Sequence, residues 1–163
     1  MNLASSSLTK YQEPSDRILV NDEACGQAIA TEAGTDYNPR AHANFCRVRN
    51  GKLMGGVIYS SYTRESIALH MAGWDPHWAN RDMLYVAFDY PFNQLGVKRI
   101  FGLVPESNLK ALEIDLKLGF KIVNRVEGVF PDNVAAMILC MERGECRFLG
   151  IKPRGVISNK SVN

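Results

Sequence analysis

Asn50-Gly51 separates two segments whose side chains alternate as those of β-strands do. Both residues tolerate the positive φ angles of a type I′ turn, so the pair predicts a two-residue hairpin. Residues 45–49 alternate in character, and residues 53–62 are rich in β-branched and aromatic side chains. After a turn at residues 63–66, residues 67–74 predict a third strand. This part of the chain is therefore expected to form an antiparallel meander.

A strand and a helix precede the meander. The short apolar run at residues 17–20 predicts the strand. Asn21 follows as a candidate N-cap, with Asp22 and Glu23 in the first turn, where the helix dipole favours acidic groups. Gly34 is the expected end of this helix.

A different pattern begins after Trp74. Residues 77–80 form a loop, and a helix follows with Met83, Leu84, Ala87 and Phe88 on one face. Pro91 is expected to kink or end that helix, because proline removes a backbone hydrogen bond. Residues 99–104 then predict a strand.

A further helix follows, capped by either Ser107 or Asn108. Its predicted buried stripe is Leu109, Leu112 and Leu116. Gly119-Phe120 matches a helix end with glycine at C′ and an apolar residue at C″. Residues 121–126 and 134–141 predict two antiparallel strands joined by residues 127–133. The predicted order of elements is β-α-βββ-α-β-α-ββ.

Composition places the chain among globular proteins of one domain. It has 163 residues, of which 46% are hydrophobic and 22% charged. We expect a flexible arm at residues 1–16, a domain at 17–148 and a basic tail at 149–163. The four cysteines form no CxxC pair and no histidine pair has metal-ligand spacing, so no metal site is expected.

Charge and hydropathy exclude several classes of partner. No apolar run is long enough to span a bilayer and no secretory signal is evident, so we expect no membrane contact and a cytoplasmic location. Four basic residues and no acidic one follow Cys146, which leaves 15 basic and 17 acidic residues in the body. Nucleic acid is therefore not an expected partner of the body.

The segment from Trp74 to Phe120 resembles the core of the GNAT superfamily of acetyl-CoA-dependent N-acetyltransferases, and its most specific part is the helix that opens at Asn108 and closes with Leu118-Gly119-Phe120. Residues 90–96 and 141–147 are similar to a branch common in phages and prophages, related to enzymes that acetylate protein N-termini. The resemblance covers roughly residues 17–148. It implies an α/β (α+β) fold with a twisted, mostly antiparallel sheet, splayed at its centre and flanked by helices.

The resemblance also implies where acetyl-CoA binds. Its pyrophosphate would lie on the amides of the loop that enters the first core helix, since a helix N-terminus binds anions. Its pantetheine arm would pair with the exposed edge of a splayed strand, near Ala72. Asn108 would either assist the cofactor or serve only as an N-cap. The expected loop residues are Trp78, Ala79, Asn80, Arg81, Asp82 and Met83.

Two departures from the family pattern concern the chemistry. The loop has no glycine, which in the family lets the backbone approach phosphate closely. Asp115 occupies the position where many members place a tyrosine that protonates the leaving thiolate. An aspartate of ordinary pKa is ionised at neutral pH and donates a proton only if burial raises that pKa.

His70, on the strand before the loop, is the expected base, acting directly or through water. The alternative is an ordinary strand histidine. Ser107 either hydrogen-bonds the thiolate or the pantetheine, or it caps the helix. Trp74 and Trp78 could form the wall of an acceptor or cofactor groove, but Trp74 is interpreted as a core or loop-closing side chain.

The leading hypothesis is therefore transfer of an acetyl group to a primary amine: a protein N-terminus, a lysine or a small amine. A homodimer is an expected state, because dimerisation is common in the family. One alternative is a catalytically inactive GNAT-like structural or interaction protein of phage origin, placed in a virion or in host cytoplasm. Another is a toxin-like enzyme acting on charged tRNA, which the mildly acidic body disfavours.

Overall fold

The computed structural model describes residues 15–154, so most of the predicted N-terminal arm and the last nine residues of the tail lie outside the described residues. Within the described residues there are three α-helices: α1 (Glu23–Ala33), α2 (Arg81–Asp89) and α3 (Leu109–Leu118). The same part of the chain contains seven strands: β1 (Asp16–Val20), β2 (Asn44–Arg49), β3 (Lys52–Ser60), β4 (Ser66–Gly73), β5 (Arg99–Pro105), β6 (Lys121–Phe130) and β7 (Val134–Glu142). The element order is the predicted one.

All seven strands form one sheet in the order β1-β2-β3-β4-β5-β7-β6. Each neighbouring pair is antiparallel except β4 and β5, which are parallel. Those two strands pair only from Ser66–Arg99 to Ala68–Phe101. Beyond these residues β4 and β5 separate, so the predicted fold class and its central splay are confirmed.

The hairpin between β2 and β3 turns at Asn50 and Gly51, whose φ angles are 51° and 76°. Positive φ at both residues is the mark of the predicted type I′ turn. The β2–β3 register shifts between Arg47 and Val48. This local bulge, next to the turn, was not predicted.

The N-cap of α1 is Asp22, whose side chain accepts from Cys25 N at 2.9 Å. The prediction that Asn21 is the cap was wrong by one residue. Asn21 instead has a φ of 53°, and its side chain accepts from Asn44 N at 3.1 Å. The Asn21 side-chain amide therefore bonds to β2 and does not cap α1.

Two apolar clusters fill opposite faces of the sheet, because neighbouring residues of a strand point to opposite sides. On one face, Ile29 and Ala30 of α1 pack with a small cluster from β2, β3 and β4. On the other face, Met83 and Phe88 of α2 are 1% exposed within the main cluster.

Pro91 ends α2 as predicted. The α-helix stops at Asp89, and Tyr90–Gln94 continue as one π-helical turn with the proline near its start. Proline is tolerated at the start of a helical turn, because the N–H that it lacks would have no partner within the helix there. Tyr59 fixes the end of α2 by donating its hydroxyl to Ala87 O at 2.5 Å.

The predicted buried stripe of α3 was right at Leu112 and wrong at its other two residues. Leu109 is 74% exposed and Leu116 is 46% exposed. Beside Leu112, the helix turns Ala111 and Leu118 toward the core, together with the buried Asp115. Spacing identifies an apolar stripe on a helix, but it does not show which side of the helix meets the core.

Both ends of α3 are formed as the sequence predicts. Asn108 is the N-cap and accepts from Ala111 N at 3.2 Å, which decides between it and Ser107. Gly119 has a φ of 110°, and its N–H reaches Asp115 O and Leu116 O. Phe120 follows and is buried.

β6 is longer than predicted. It runs to Phe130, so the expected connection at residues 127–133 is reduced to a 3₁₀ turn at Pro131–Asn133. The register with β7 shifts between Ile122 and Asn124 and again between Val126 and Phe130. These bulges let the strand continue through Gly128, whose φ is 65°.

The segment after β7 returns to α2. Phe148 stacks on Phe88, with ring centroids 4.8 Å apart and planes 15° apart. Arg81 Nε donates to Lys152 O at 2.7 Å, and Arg154 N donates to an Asp82 carboxylate oxygen at 2.5 Å. Within residues 15–154, no helix is long and apolar enough to cross a membrane.

Candidate functional site

A cavity of about 480 Å³ lies where β4 and β5 separate. Its walls are the unpaired parts of both strands, residues 69–73 and 102–105. The first turns of α3 and the loop before α2 close two further sides, and the end of α1 contributes Glu32. Backbone groups of two diverging strands therefore face the same space as several titratable side chains.

His70 lies on β4 and lines this cavity. Its Nε2 atom is 2.8 Å from the hydroxyl oxygen of Ser60 on β3. Burial lowers the pKa of His70, and the nearby His42 lowers it further. His70 is therefore mainly neutral at neutral pH, which is the form that accepts a proton.

Asp115 lies on α3 and lines the same cavity with 8% of its surface exposed. Burial raises the pKa of its carboxyl to about 7. Its carboxyl is consequently protonated in a large fraction of molecules at neutral pH and can donate a proton. The cavity thus holds one candidate base and one candidate acid.

The loop between β4 and α2 is shaped by Trp78. A Cβ atom on Gly73 would lie 2.1 Å from the Trp78 indole, and one on Gly55 would lie 2.5 Å from it. The indole therefore rests directly on the backbone of β3 and β4, at the mouth of the splay. Any side chain at these two glycines would force it away.

Arg47 contacts the same loop through backbone carbonyl oxygens. Its Nη1 donates to His77 O at 2.5 Å and contacts Trp78 O at 3.4 Å. Its other nitrogens bind both oxygens of Asp16, at 2.9 and 2.7 Å. Hydrogen bonds from Arg47 lower the pKa of Asp16, and hydrogen bonds to Asp16 raise the pKa of Arg47.

Several amides of the loop are bonded within the protein. Trp78 N donates to Asp75 O at 3.1 Å, Asn80 N donates to Trp78 O at 3.0 Å, and Met83 N donates to Asn80 Oδ1 at 2.9 Å. Three of the six amides predicted to hold a pyrophosphate are therefore engaged in shaping the turn and capping α2.

The structure brings five of the predicted site residues together around the cavity. They are His70, Ala72, Trp78, Asn108 and Asp115. The other six are not among the residues that line it: Ser107, Ala79, Asn80, Arg81, Asp82 and Met83. Of these, Met83 is 1% exposed, so its side chain belongs to the core.

Trp74 is 43% exposed and lines the cavity, as its groove-wall alternative predicts, so a position in the core is wrong. Several other cavity or supporting residues were not predicted from the sequence. Among them, Lys110 and Glu32 line the cavity. Lys110 could have been proposed from the sequence, because it lies two residues after the N-cap of α3. Nothing in the sequence indicates the roles of Arg47 and Ser60, because their hydrogen-bond partners lie 30 and 10 residues away in the chain.

Comparison with solved structures identifies the fold. A chimera of the Vibrio cholerae spermidine N-acetyltransferase SpeG and hSSAT matches with a TM-score of 0.60 at 17% identity, covering 82% of this chain and 98% of that one. The Vibrio cholerae spermidine N-acetyltransferase in complex with CoA and spermine matches with a TM-score of 0.59 at 15% identity, covering 81% and 96%. An IAA acetyltransferase from Bacillus cereus matches with a TM-score of 0.59 at 10% identity, covering 80% and 99%.

No protein-family model matches the chain, and no curated protein matches it. These three structures are 10 to 17% identical to the chain and therefore establish the fold alone. The chain has the GNAT fold.

Proposed function

We propose that this protein transfers an acetyl group from acetyl-CoA to a primary amine. The observation that carries the proposal is the cavity at the β4–β5 splay, which contains His70 and Asp115 with complementary shifts of pKa. The structural match to an acetyltransferase solved with CoA and spermine supports it.

The residues at the splay fit the thioester end of acetyl-CoA. The unpaired edge of β4 around Ala72 offers backbone groups to a pantetheine arm, as strand addition requires. Asn108 and Lys110 lie at the N-terminus of α3, on the same cavity wall. When bound there, acetyl-CoA supplies the activated acetyl group.

The residues at the N-terminus of α2 offer positive charge to the pyrophosphate, in place of the glycine-rich loop of the family. Arg81 lies in the first turn of α2, and the backbone of the returning C-terminal segment contacts this turn, with Lys152 O accepting from Arg81 and Arg154 N donating to Asp82. We propose that these cations, with the remaining amides of the loop, attract the pyrophosphate. Arg47 would act as a positioning residue, because it holds the carbonyl side of the loop.

In the proposed reaction His70 removes a proton from the ammonium form of the acceptor, directly or through water. The neutral amine then attacks the thioester carbonyl carbon, a C–N bond forms, and the C–S bond breaks. Asp115 donates its proton to the departing thiolate, and the nitrogen loses its second proton to the Asp115 carboxylate as the amide forms. His70 then releases the first proton to solvent. Both residues are in the required form near neutral pH, since one pKa is lowered and the other is raised.

The cavity walls favour a cationic acceptor. Glu32 and Asp75 add carboxylates, and the exposed face of Trp74 offers an aromatic surface to an ammonium group. We therefore propose a small amine or a flexible lysine or N-terminus as acceptor. The Vibrio cholerae spermidine N-acetyltransferase is described as dodecameric, and we propose that this chain also acts as an oligomer.

The test begins with calorimetric titration of the full chain with acetyl-CoA, with desulfo-CoA as a control. Micromolar binding of both supports the site, and thiol release with a panel of polyamines, lysine peptides and N-terminal peptides then identifies the acceptor. Absence of heat and of any thermal shift at millimolar acetyl-CoA would overturn the enzymatic proposal. The inactive interaction protein would then be the better hypothesis.

A further inference from the structure

Cys25 of α1 and Cys46 of β2 meet on the face of the sheet that α1 covers. Cys46 is 0% exposed and belongs to the smaller apolar cluster, and Cys25 packs against that cluster. Both thiols are free, and Cys25 is partly exposed. Neither residue takes part in the proposed acetyl transfer. The fold thus brings together two thiols that are distant in the chain.

A contact at the start of α1 sets the position of Cys25 relative to Cys46. Asn21 N donates to Asn44 O at 2.9 Å, and the Asn21 side chain accepts from Asn44 N at 3.1 Å. Cys25 lies four residues beyond Asn21, about 6 Å along a helix. Cys46 lies two residues beyond Asn44, about 7 Å along a strand, and points to the same side of it. Both thiols therefore lie at a similar distance from one fixed contact.

The next turn of α1 shows that this side of the helix meets the sheet. Cys25 and Ile29 are one turn apart and share a face of α1. A Cβ atom on Gly56, which pairs with Cys46, would lie 2.5 Å from Ile29 Cδ1 and 3.0 Å from Cys46 Cα. The missing side chain at Gly56 lets the helix approach the sheet closely. Cys25 is consequently directed toward Cys46.

The two thiols also interact directly. A hydrogen bond with Cys25 raises the pKa of the Cys46 thiol, and burial raises it further. Cys46 is therefore protonated at neutral pH, and the partly exposed Cys25 is the thiol that a solute reaches first. Burial is the main reason for the raised pKa values of Cys140 and Cys146, and within residues 15–154 no second thiol contributes to them.

We propose that Cys25 and Cys46 are a site of oxidative modification, at which a peroxide forms a disulfide bond that fixes the start of α1 to β2. Glu32, in the last turn of α1, lines the cavity, so the bond also restrains one of the elements around the candidate site. The proposal does not depend on acetyl transfer, and it holds or fails independently of the proposed function.

The chemistry requires one molecule of hydrogen peroxide as the oxidant. The Cys25 thiolate attacks a peroxide oxygen, so that an S–O bond forms and the O–O bond breaks. The departing hydroxide takes up the proton that Cys25 released and becomes water. Cys25 is now a sulfenic acid, oxidised by two electrons. The Cys46 sulfur then attacks the Cys25 sulfur, an S–S bond forms, the S–O bond breaks, and the leaving hydroxide takes the Cys46 proton as a second water.

The test treats the folded full chain with a small excess of hydrogen peroxide and then alkylates the remaining thiols after unfolding. Two of the four cysteines should resist alkylation, and no cross-link between chains should appear on a non-reducing gel. Trypsin cuts after Arg17, Arg40 and Arg47, so the disulfide should join peptides 18–40 and 41–47 until dithiothreitol separates them. The oxidised protein should melt about 5–10 °C higher, because the bond restrains the unfolded chain.

Two variants isolate the pair, and circular dichroism verifies that each is folded. Cys25→Ser removes the accessible thiol, so Cys46 should remain open to alkylation and the melting temperature should not rise. The matched control replaces the other two cysteines, as Cys140→Ser with Cys146→Ser, and should form the same linked peptides as the wild type. If the double variant does not fold, Cys146→Ser alone serves, because Cys146 is the partly exposed member.

Three results would overturn the proposal: four free thiols after peroxide treatment, a Cys25 sulfinic acid beside a reduced Cys46, or a disulfide between another pair. Linked peptides with an unchanged or lower melting temperature would overturn the claim that the bond fixes α1 to β2.

Discussion

Arg47 binds Asp16 through two hydrogen bonds, with Nε 2.9 Å from Oδ1 and Nη2 2.7 Å from Oδ2. The same guanidinium donates to the carbonyl oxygen of His77, in the loop before α2. Arg47 is 6% exposed, so these partners satisfy a charge that has little access to water. The pair therefore connects the first strand of the sheet to the loop beside the cavity.

Asp16→Asn should destabilise the protein by about 1 kcal/mol at pH 7. Arg47 then loses its charged partner, and the effect is modest because the Asp16 side chain is 36% exposed to screening solvent. The pKa of Asp16 is lowered in the folded state. Its contribution is thus complete above its unfolded pKa and lost as the pH falls through the lower folded pKa. Urea unfolding at pH 7 and at pH 3 measures the difference. Glu65→Gln, in an exposed ion pair with Lys98, should change stability less; an equal change would contradict the assignment.

Gly73→Ala should displace the Trp78 indole, since a Cβ at Gly73 would lie 2.1 Å from it. Overpacking of this kind costs about 1–3 kcal/mol. We expect a lower melting temperature, altered tryptophan fluorescence and weaker binding of acetyl-CoA. Gly102→Ala on the facing strand is the matched control, because its Cβ would meet Leu139 at an ordinary 3.9 Å. Equal loss of stability in both variants would show that the Trp78 contact is not the cause.

Asp115→Asn should stabilise the protein at neutral and alkaline pH relative to the wild type. Burial raises the pKa of Asp115 from 3.8 to about 7 in the folded state. The folded state therefore holds a proton that the unfolded state has released, so wild-type stability falls as the pH rises from about 4 to 7. The upper limit of this loss is on the order of 4 kcal/mol, and relaxation of the site reduces it. Chemical unfolding of both proteins from pH 4 to pH 8 measures it; parallel curves would mean that Asp115 titrates normally.

His70→Gln should lower kcat by about 10²- to 10⁴-fold if His70 is the general base. Wild-type activity should rise as the pH passes the lowered pKa of His70 and fall as Asp115 ionises near pH 7. Asp115→Asn should lower kcat and remove the alkaline fall. Ser60→Ala keeps the His70 imidazole but removes its hydrogen bond to Ser60. It should therefore shift the acid limb of the pH–activity profile and lower kcat less than His70→Gln does. A His70→Gln enzyme with unchanged kcat would assign the base to another group.

Much of the fold follows from local patterns in the sequence. The type I′ turn at Asn50-Gly51 and the C′ glycine at Gly119 were predicted and are confirmed, and of the two predicted N-cap candidates, Ser107 and Asn108, the structure selects Asn108. Each depends on the φ angles or hydrogen bonds of residues within one turn, which local sequence determines. The single-residue error at the start of α1 arose because Asn21 and Asp22 are both good caps, and a contact with the distant Asn44 selects between them.

The sequence by itself determined the order of elements, and the family resemblance carried mainly by the helix that ends at Gly119-Phe120 implied a splayed sheet. Only the tertiary structure decided which face of α3 is buried, and so placed Asp115 rather than Leu109 and Leu116 in the interior. It also decided that Asp115 retains a proton near neutral pH and that Arg47 supports a loop 30 residues away. The physical reason is that burial, and with it pKa and the choice of hydrogen-bond partner, depends on which distant segments pack together.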